Sequence, residues 1–178
     1  MESRNKQCCS GIKERGTVWL GVANVVENEQ GEWLVVKKKY SGLKGLWSLP
    51  AGFVKEAETV EMAAKREVLE ETGIECEVIG LIGFRSGVIQ HKISDNMAIF
   101  YSKKTQKDQI AIPQELEIEE VRWIHPVQLA DDELASSMLH EMAKYRVDQY
   151  VHPVINGFDP GKQFGYTDYQ LFFKKSTI

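Results

Sequence analysis

The strongest constraint on this chain is a crowd of like charges. Glu67, Glu70 and Glu71 are spaced i, i+3 and i+4, which on a helix of 3.6 residues per turn puts them within roughly 100° of one face. The sequence around them reads as a helix over 59–72. Thr59 is placed to cap it, Gly73 can end it in a left-handed conformation, and Val60, Ala64 and Val68 form an apolar stripe. The acidic face therefore lies at the C-terminal end, where the helix dipole disfavours anions. Like charges at this spacing cost roughly 0.2–0.5 kcal/mol per pair. Arg66, four residues before Glu70, is the local relief; position 74 is Ile and position 75 another Glu. A merely solvated acidic face is the plain alternative. Against it stand the dipole and the loop before the helix, whose Gly42, Gly45, Pro50 and Gly52 can bring backbone carbonyls close. A hard divalent cation would resolve the repulsion, because Mg²⁺ takes oxygen ligands.

The rest of the chain is ordinary for a globule. Its 178 residues make one domain the default. With 43% hydrophobic and 27% charged residues it is not a disordered chain. A net charge of −4 excludes a strongly basic nucleic-acid binder, so no nucleic-acid partner is expected. No apolar run reaches the roughly 18 residues of a membrane span, and the polar leader 1–15 does not resemble a secretory signal. Cys8 and Cys9 are adjacent and a third cysteine stands apart, so even pairing fails and a reducing, cytoplasmic setting fits. No second Cys or His pair lies near Cys8 and Cys9 to complete a zinc site.

Residues 17–27 and 32–38 read as strands joined by Asn28-Glu29-Gln30-Gly31, a hairpin pattern. Residues 41–52 read as a loop, 75–85, 96–103 and 116–124 as strands, and a second helix is expected from Asp131 or Asp132 to 150. This mixture suggests an α/β or α+β sandwich over 16–150. The tail, 151–178, carries Phe158, Phe164, Tyr166, Tyr169, Phe172 and Phe173. Six aromatics are too many for a solvated extension. The tail is expected to be ordered by packing rather than by regular structure, either on the sandwich or across a homodimer interface.

The segment Gly52 to Ile74 resembles the Nudix box, G-x5-E-x7-R-E-U-x-E-E-x-G-U with U aliphatic, at every fixed position: Gly52, Glu58, Arg66, Glu67, Val68, Glu70, Glu71, Gly73 and Ile74. Trp47-Ser48-Leu49-Pro50-Ala51 and Val121-Arg122-Trp123-Ile124 also resemble the family's flanks. The resemblance implies an α/β/α sandwich with a mixed sheet and a loop-helix-loop motif. It implies a hydrolase of a nucleoside diphosphate linked to another group, using Mg²⁺ or Mn²⁺. Glu67, Glu70, Glu71 and the carbonyl of Ala51 are the implied metal ligands. Arg66 orients the glutamates, Glu58 braces the loop, and Glu67 or Glu70 serves as base. In other members the base comes from a distant loop, where Glu115, Glu117, Glu119 and Glu120 fall here. A substrate and a protein that are both anionic need cations between them. Many members are dimeric. The alternative is a catalytically weak nucleotide-binding or regulatory module; such proteins tend to lose box glutamates, and this chain keeps them.

Phosphate contacts are sought among Lys37, Lys38, Lys39, Lys44 and Arg85, with Lys39, Lys44 and Arg85 preferred. Trp19, Tyr40, Trp47, Phe53 and Phe84 are candidates to stack on a base, Phe53 foremost, and Trp123 is assigned to the core. His91 reads as an exposed loop residue. The family's signatures for ADP-ribose, NADH and diadenosine polyphosphates are absent past the box. That leaves nucleoside triphosphates, oxidised ones included, and other nucleotide conjugates.

Overall fold

The computed structural model describes residues 16–40, 42–157, 159–161 and 165–174. The leader with Cys8 and Cys9, and the tail aromatics Phe158 and Phe164, lie outside the described residues. Strand β1 (Val18–Glu27) is the spine. Its Val22 and Val26 point to one face and its Ala23 and Val25 to the other, and all four are fully buried. A strand buried on both faces needs a layer on each side.

The first layer is α1 (Val60–Thr72). Its start and stop follow the sequence signals: Thr59 Oγ1 accepts from the Met62 N–H, and Gly73 adopts φ 70°. The helix lays Ala63, Ala64 and Val68 on Val22, Val26, Leu34, Ala98 and Phe100. On the other face α2 (Pro126–Leu129) and α3 (Ser137–Met142) bury Leu129 and Leu139 against Ala23, Val25, Trp33 and Val35. Each such leucine contributes about 1.5–3 kcal/mol of apolar transfer. The fold is the expected α+β sandwich around a mixed sheet.

The expected hairpin is present but short. β1 and β2 (Trp33–Lys38) pair at Glu27↔Trp33, beside an Asn28 turn whose Oδ1 accepts from the Gln30 and Glu32 N–H groups. Beyond that point β1's edge is taken by β4 (Ala51–Phe53), through Gly21↔Phe53, Val22↔Gly52 and Ala23↔Ala51. β3 (Trp47–Ser48) pairs with β2. The expected loop over 41–52 therefore holds two short strands. β1 runs parallel to β6 (Ile93–Lys104), which forms an antiparallel hairpin with β5 (Cys76–Ile89). β7 (Ile118–Ile124) pairs with the far side of β2. The split between β2 and β4 opens the sheet where the C-terminal end of α1 arrives.

The single second helix over 131–150 is also corrected. Asp132 does not start a helix; its Oδ1 accepts from the Leu134 N–H at 2.8 Å and closes a turn. Short polar side chains that bond nearby backbone compete with helix in this way. The working start signals are His125 with Pro126 behind it, and Ser136, whose Oγ accepts from the Leu139 N–H. Residues 147–150 form a separate 3-10 turn.

Regular structure also appears in the tail, where none was expected. β8 (His152–Ile155) pairs with β5 at Gly80↔Pro153 and Leu81↔His152, and β9 (Leu171–Phe172) pairs with β8. Two-residue contacts of this kind are too short to leave an alternating pattern. The Phe172 ring stands edge-on to Phe100, centroids 5.5 Å apart, and Gln170 Nε2 donates to Glu61 Oε2 at 2.6 Å. Gly80 makes this docking possible. A Cβ there would sit 2.3 Å from the His152 carbonyl oxygen and 2.7 Å from Val151 Cγ1. Gly80→Ala is expected to loosen β8 and raise the rate of limited proteolysis within residues 151–174 by about tenfold, by opening a low-stability unit of the fold. An unchanged cleavage rate would show that the tail is held elsewhere.

Candidate active site

The site is assembled from three pieces of chain: the end of β2, the strand β4, and the acidic face of α1. Gly52 lies directly under Glu67. A Cβ on Gly52 would fall 2.2 Å from the Glu67 carboxyl carbon. Lacking one, the backbone of β4 and the carboxylate come into contact.

Arg66 is the hub of the loop side. Its Nε and Nη2 donate to the two Glu58 oxygens at 2.7 and 3.0 Å, and Nη2 also donates to the Phe53 carbonyl at 3.0 Å. Nη1 donates to Glu67 and, at 3.0 Å, to Glu70. The Glu58 carboxylate raises the Arg66 pKa above its ordinary value, while Arg66 and the Lys55 N–H lower that of Glu58. One guanidinium thus ties the loop 54–59 to two of the three helix carboxylates. Glu70 is half exposed and also meets Lys55 Nζ at 3.3 Å.

Glu71 is different. It is 4% exposed, and burial pushes its carboxyl up to about 7 against the opposing pull of Lys38 and the Ala51 N–H. Lys38 Nζ donates to Glu71 Oε1 at 2.8 Å and to the Ala51 carbonyl at 2.8 Å, while the Ala51 N–H donates to Glu71 Oε2 at 3.2 Å. Glu67, Glu70, Glu71, Gln114 and Glu117 line a cavity of about 210 Å³. Tyr40, hydrogen-bonded to Glu117, has its hydroxyl pKa pushed up to about 12. Among the described residues no three acidic, His or Cys side chains converge closely enough to hold an ion as they stand. Lys38 and Arg66 divide the carboxylates between them. The donors themselves, carboxylates and a backbone carbonyl, are the oxygen set a hard divalent cation takes.

The other sequence candidates scatter. Lys39 Nζ donates to the Glu115 carbonyl. Lys44 is exposed on the turn before β3. Arg85 pairs with Asp95 at 2.6 Å. Phe53 is 57% exposed, with Trp19 edge-on at 5.7 Å. Tyr40 and Phe84 are exposed, and His91 is exposed on the β5–β6 turn. Trp47 is buried in the core under Lys37 and Arg122, so its ring is not open to a base. Trp123 packs half-buried against the cluster of Val26, Leu34 and Val68. Lys38 and Gln114 are the residues whose place the sequence reading missed. Period-2 spacing from buried Leu34, which faces α1, was the signal for Lys38.

Comparison with known proteins bears on the family and the fold. The chain is 36% identical over 110 residues to Nudix hydrolase 8 of Arabidopsis thaliana, covering 59% of this chain and 29% of that protein. It is 30% identical over 152 residues to the 8-oxo-dGDP phosphatase NUDT18 of Mus musculus, covering 81% of this chain and 44% of that protein. The chain therefore spans less than half the length of these two curated relatives. The crystal structure of a NUDIX hydrolase from Nitrosomonas europaea superimposes with a TM-score of 0.63 at 26% identity, over 76% of this chain and 73% of that one. The NUDIX domain profile matches residues 18–145, and the chain belongs to that family.

Proposed function

We propose that this chain is a Nudix hydrolase that cleaves the diphosphate of a nucleoside diphosphate linked to another group, by attack of water on phosphorus. The observation that carries it is the Glu67 carboxylate lying on Gly52, the neighbour in chain of Ala51, whose N–H donates to buried Glu71 and whose carbonyl accepts from Lys38. Nudix hydrolases use divalent metal ions. Here Ala51, Glu67, Glu70 and Glu71 would hold Mg²⁺ or Mn²⁺, which when bound polarises phosphoryl oxygens and acidifies a water. Arg66 fixes the direction of Glu67 and Glu70, and Glu58 fixes Arg66. Of the four downstream glutamates, Glu117 is the best placed to take the water's proton, since it lines the same cavity. Glu120 is drawn off by Lys37 and Arg122. Glu67 and Glu70 are less suited as base, because Arg66 holds both.

For the substrate, the exposed rings of Phe53 and Trp19 offer a shelf for a nucleobase. Lys39 and Lys44 flank the loop before the box and suit phosphate. Arg85 suits it less, being paired with Asp95. An oxidised nucleoside di- or triphosphate is the favoured class, supported by the mouse relative's activity. Residues 16–150 form the hydrolase unit, and 151–178 a C-terminal extension whose strands β8 and β9 pack on it. No helix among the described residues is long and apolar enough to cross a membrane, and the free, buried Cys76 thiol fits a reducing cytoplasmic setting.

The test is a panel of nucleotides given to chelator-stripped protein, with Mg²⁺ or Mn²⁺ restored and nucleoside monophosphate, phosphate and pyrophosphate quantified. Turnover is expected with ion and none in excess EDTA. Turnover that persists in EDTA sinks the metal reading. Nucleotide binding without turnover on any substrate supports the regulatory module instead.

A further inference from the structure

We propose that Lys38 is a built-in counter-cation of this site: its ammonium holds the Ala51 carbonyl and Glu71 together in the metal-free protein, and an incoming divalent ion must displace it. This rests on the metal reading above but is separable from it.

The geometry is specific. One nitrogen lies 2.8 Å from each of two oxygens that the metal would need, the Ala51 carbonyl and Glu71 Oε1. The Lys38 side chain is 15% exposed and that of Glu71 5%, so water cannot substitute freely for either partner. A buried carboxylate without a partner is costly, and the Ala51 N–H alone does not neutralise it. An ion that took the Ala51 carbonyl and Glu71 Oε1 as ligands would need the same two oxygens that Nζ holds. Two cations cannot share them at that range, so ammonium and metal would compete. Lys38 can do this because of where its strand ends. β2 leaves β1 after the Asn28 turn and terminates over the gap that β4 opens, so its last residue reaches α1 from across the sheet. Arg66 is no substitute, since it is committed to Glu58 and the Phe53 carbonyl as well as to Glu67 and Glu70.

The ammonium therefore does two opposite things. It keeps the ligands in place before the ion arrives, and it weakens the ion's apparent affinity. A purely structural ion pair would do only the first.

Titration calorimetry of Mg²⁺ and Mn²⁺ into the chelator-stripped full chain separates these readings. Lys38→Met keeps the stem and removes the charge, and is expected to tighten Kd by about tenfold through loss of a competing charge in a partly buried site. Its Tm should fall in EDTA and recover with saturating ion. Lys38→Gln, which keeps a donor without the charge, should also tighten Kd and serves if the Met variant is insoluble. In wild-type protein, the Lys38 ammonium NMR signal should be protected without metal and exposed with it. A folded variant whose Kd is unchanged or weaker, with Tm lowered equally in EDTA and in metal, overturns the proposal and leaves the metal site standing. Absence of ion binding to wild type and variants alike overturns both.

Discussion

Glu67→Gln is expected to lower kcat by about 10²-fold or more with the fold intact, and Glu71→Gln to do the same. The amide keeps the shape of each side chain but removes the negative charge that the cation and the developing phosphoryl charge depend on. The two variants test different halves of the site. Glu67 is packed on Gly52 and held by Arg66, so its amide will lie in the same place with one weaker hydrogen bond. Glu71 is nearly buried and is the partner of Lys38. Its amide leaves the Lys38 ammonium hydrogen-bonded to two neutral groups, the amide itself and the Ala51 carbonyl, so a loss of Tm accompanies the loss of rate. Rate measured at saturating substrate and metal, with circular dichroism and Tm on the same samples, checks this. If both variants turn over near the wild-type rate, the carboxylates are not the metal ligands. If both unfold, the glutamates serve the structure.

What the sequence made legible was local. The helix α1 is specified within its own turns by Thr59, Gly73 and an apolar stripe, and the observed caps are those residues. The acidic face, the Arg66 bridge to Glu70 and the need for Gly52 all lie within one short stretch. What stayed hidden was long-range. Lys38 meets Glu71 across 33 positions of chain, and Glu117 enters the cavity from the residues before β7. Nothing in the pattern of β2 says that β4 will take β1's edge, because strand partners are chosen by packing on both faces rather than by the strand's own residues. The failed second helix has the same lesson at short range. Asp131 or Asp132 is the expected cap, but the helix starts at Ser136, which lets Leu139 reach the core beside Trp33 and Trp47.

Gly52→Ala should be as damaging as losing Glu67 itself, lowering kcat/KM by about 10²-fold because positioned catalytic groups tolerate little displacement. A Cβ at residue 52 would lie 2.2 Å from both the carboxyl carbon and Oε1 of Glu67, and 2.4 Å from Oε2. Something must move. If the carboxylate rotates away, it leaves Arg66 and the backbone of β4. If β4 moves instead, the Val22↔Gly52 pairing loosens and the Ala51 carbonyl is carried off with it. Both routes pull apart the same ligands, so metal affinity falls together with rate. Gly83→Ala is the control. It adds the same methyl to the same sheet, but its nearest neighbour there is Ile99 Cδ1 at 3.8 Å, an ordinary contact. That variant should keep its activity and its metal affinity. Equal effects from the two substitutions would mean that the sheet, and not the contact between Gly52 and Glu67, governs the site. A Gly52→Ala enzyme with wild-type rate and wild-type metal affinity would mean that Glu67 works from some other position, and the ligand set would have to be redrawn without it.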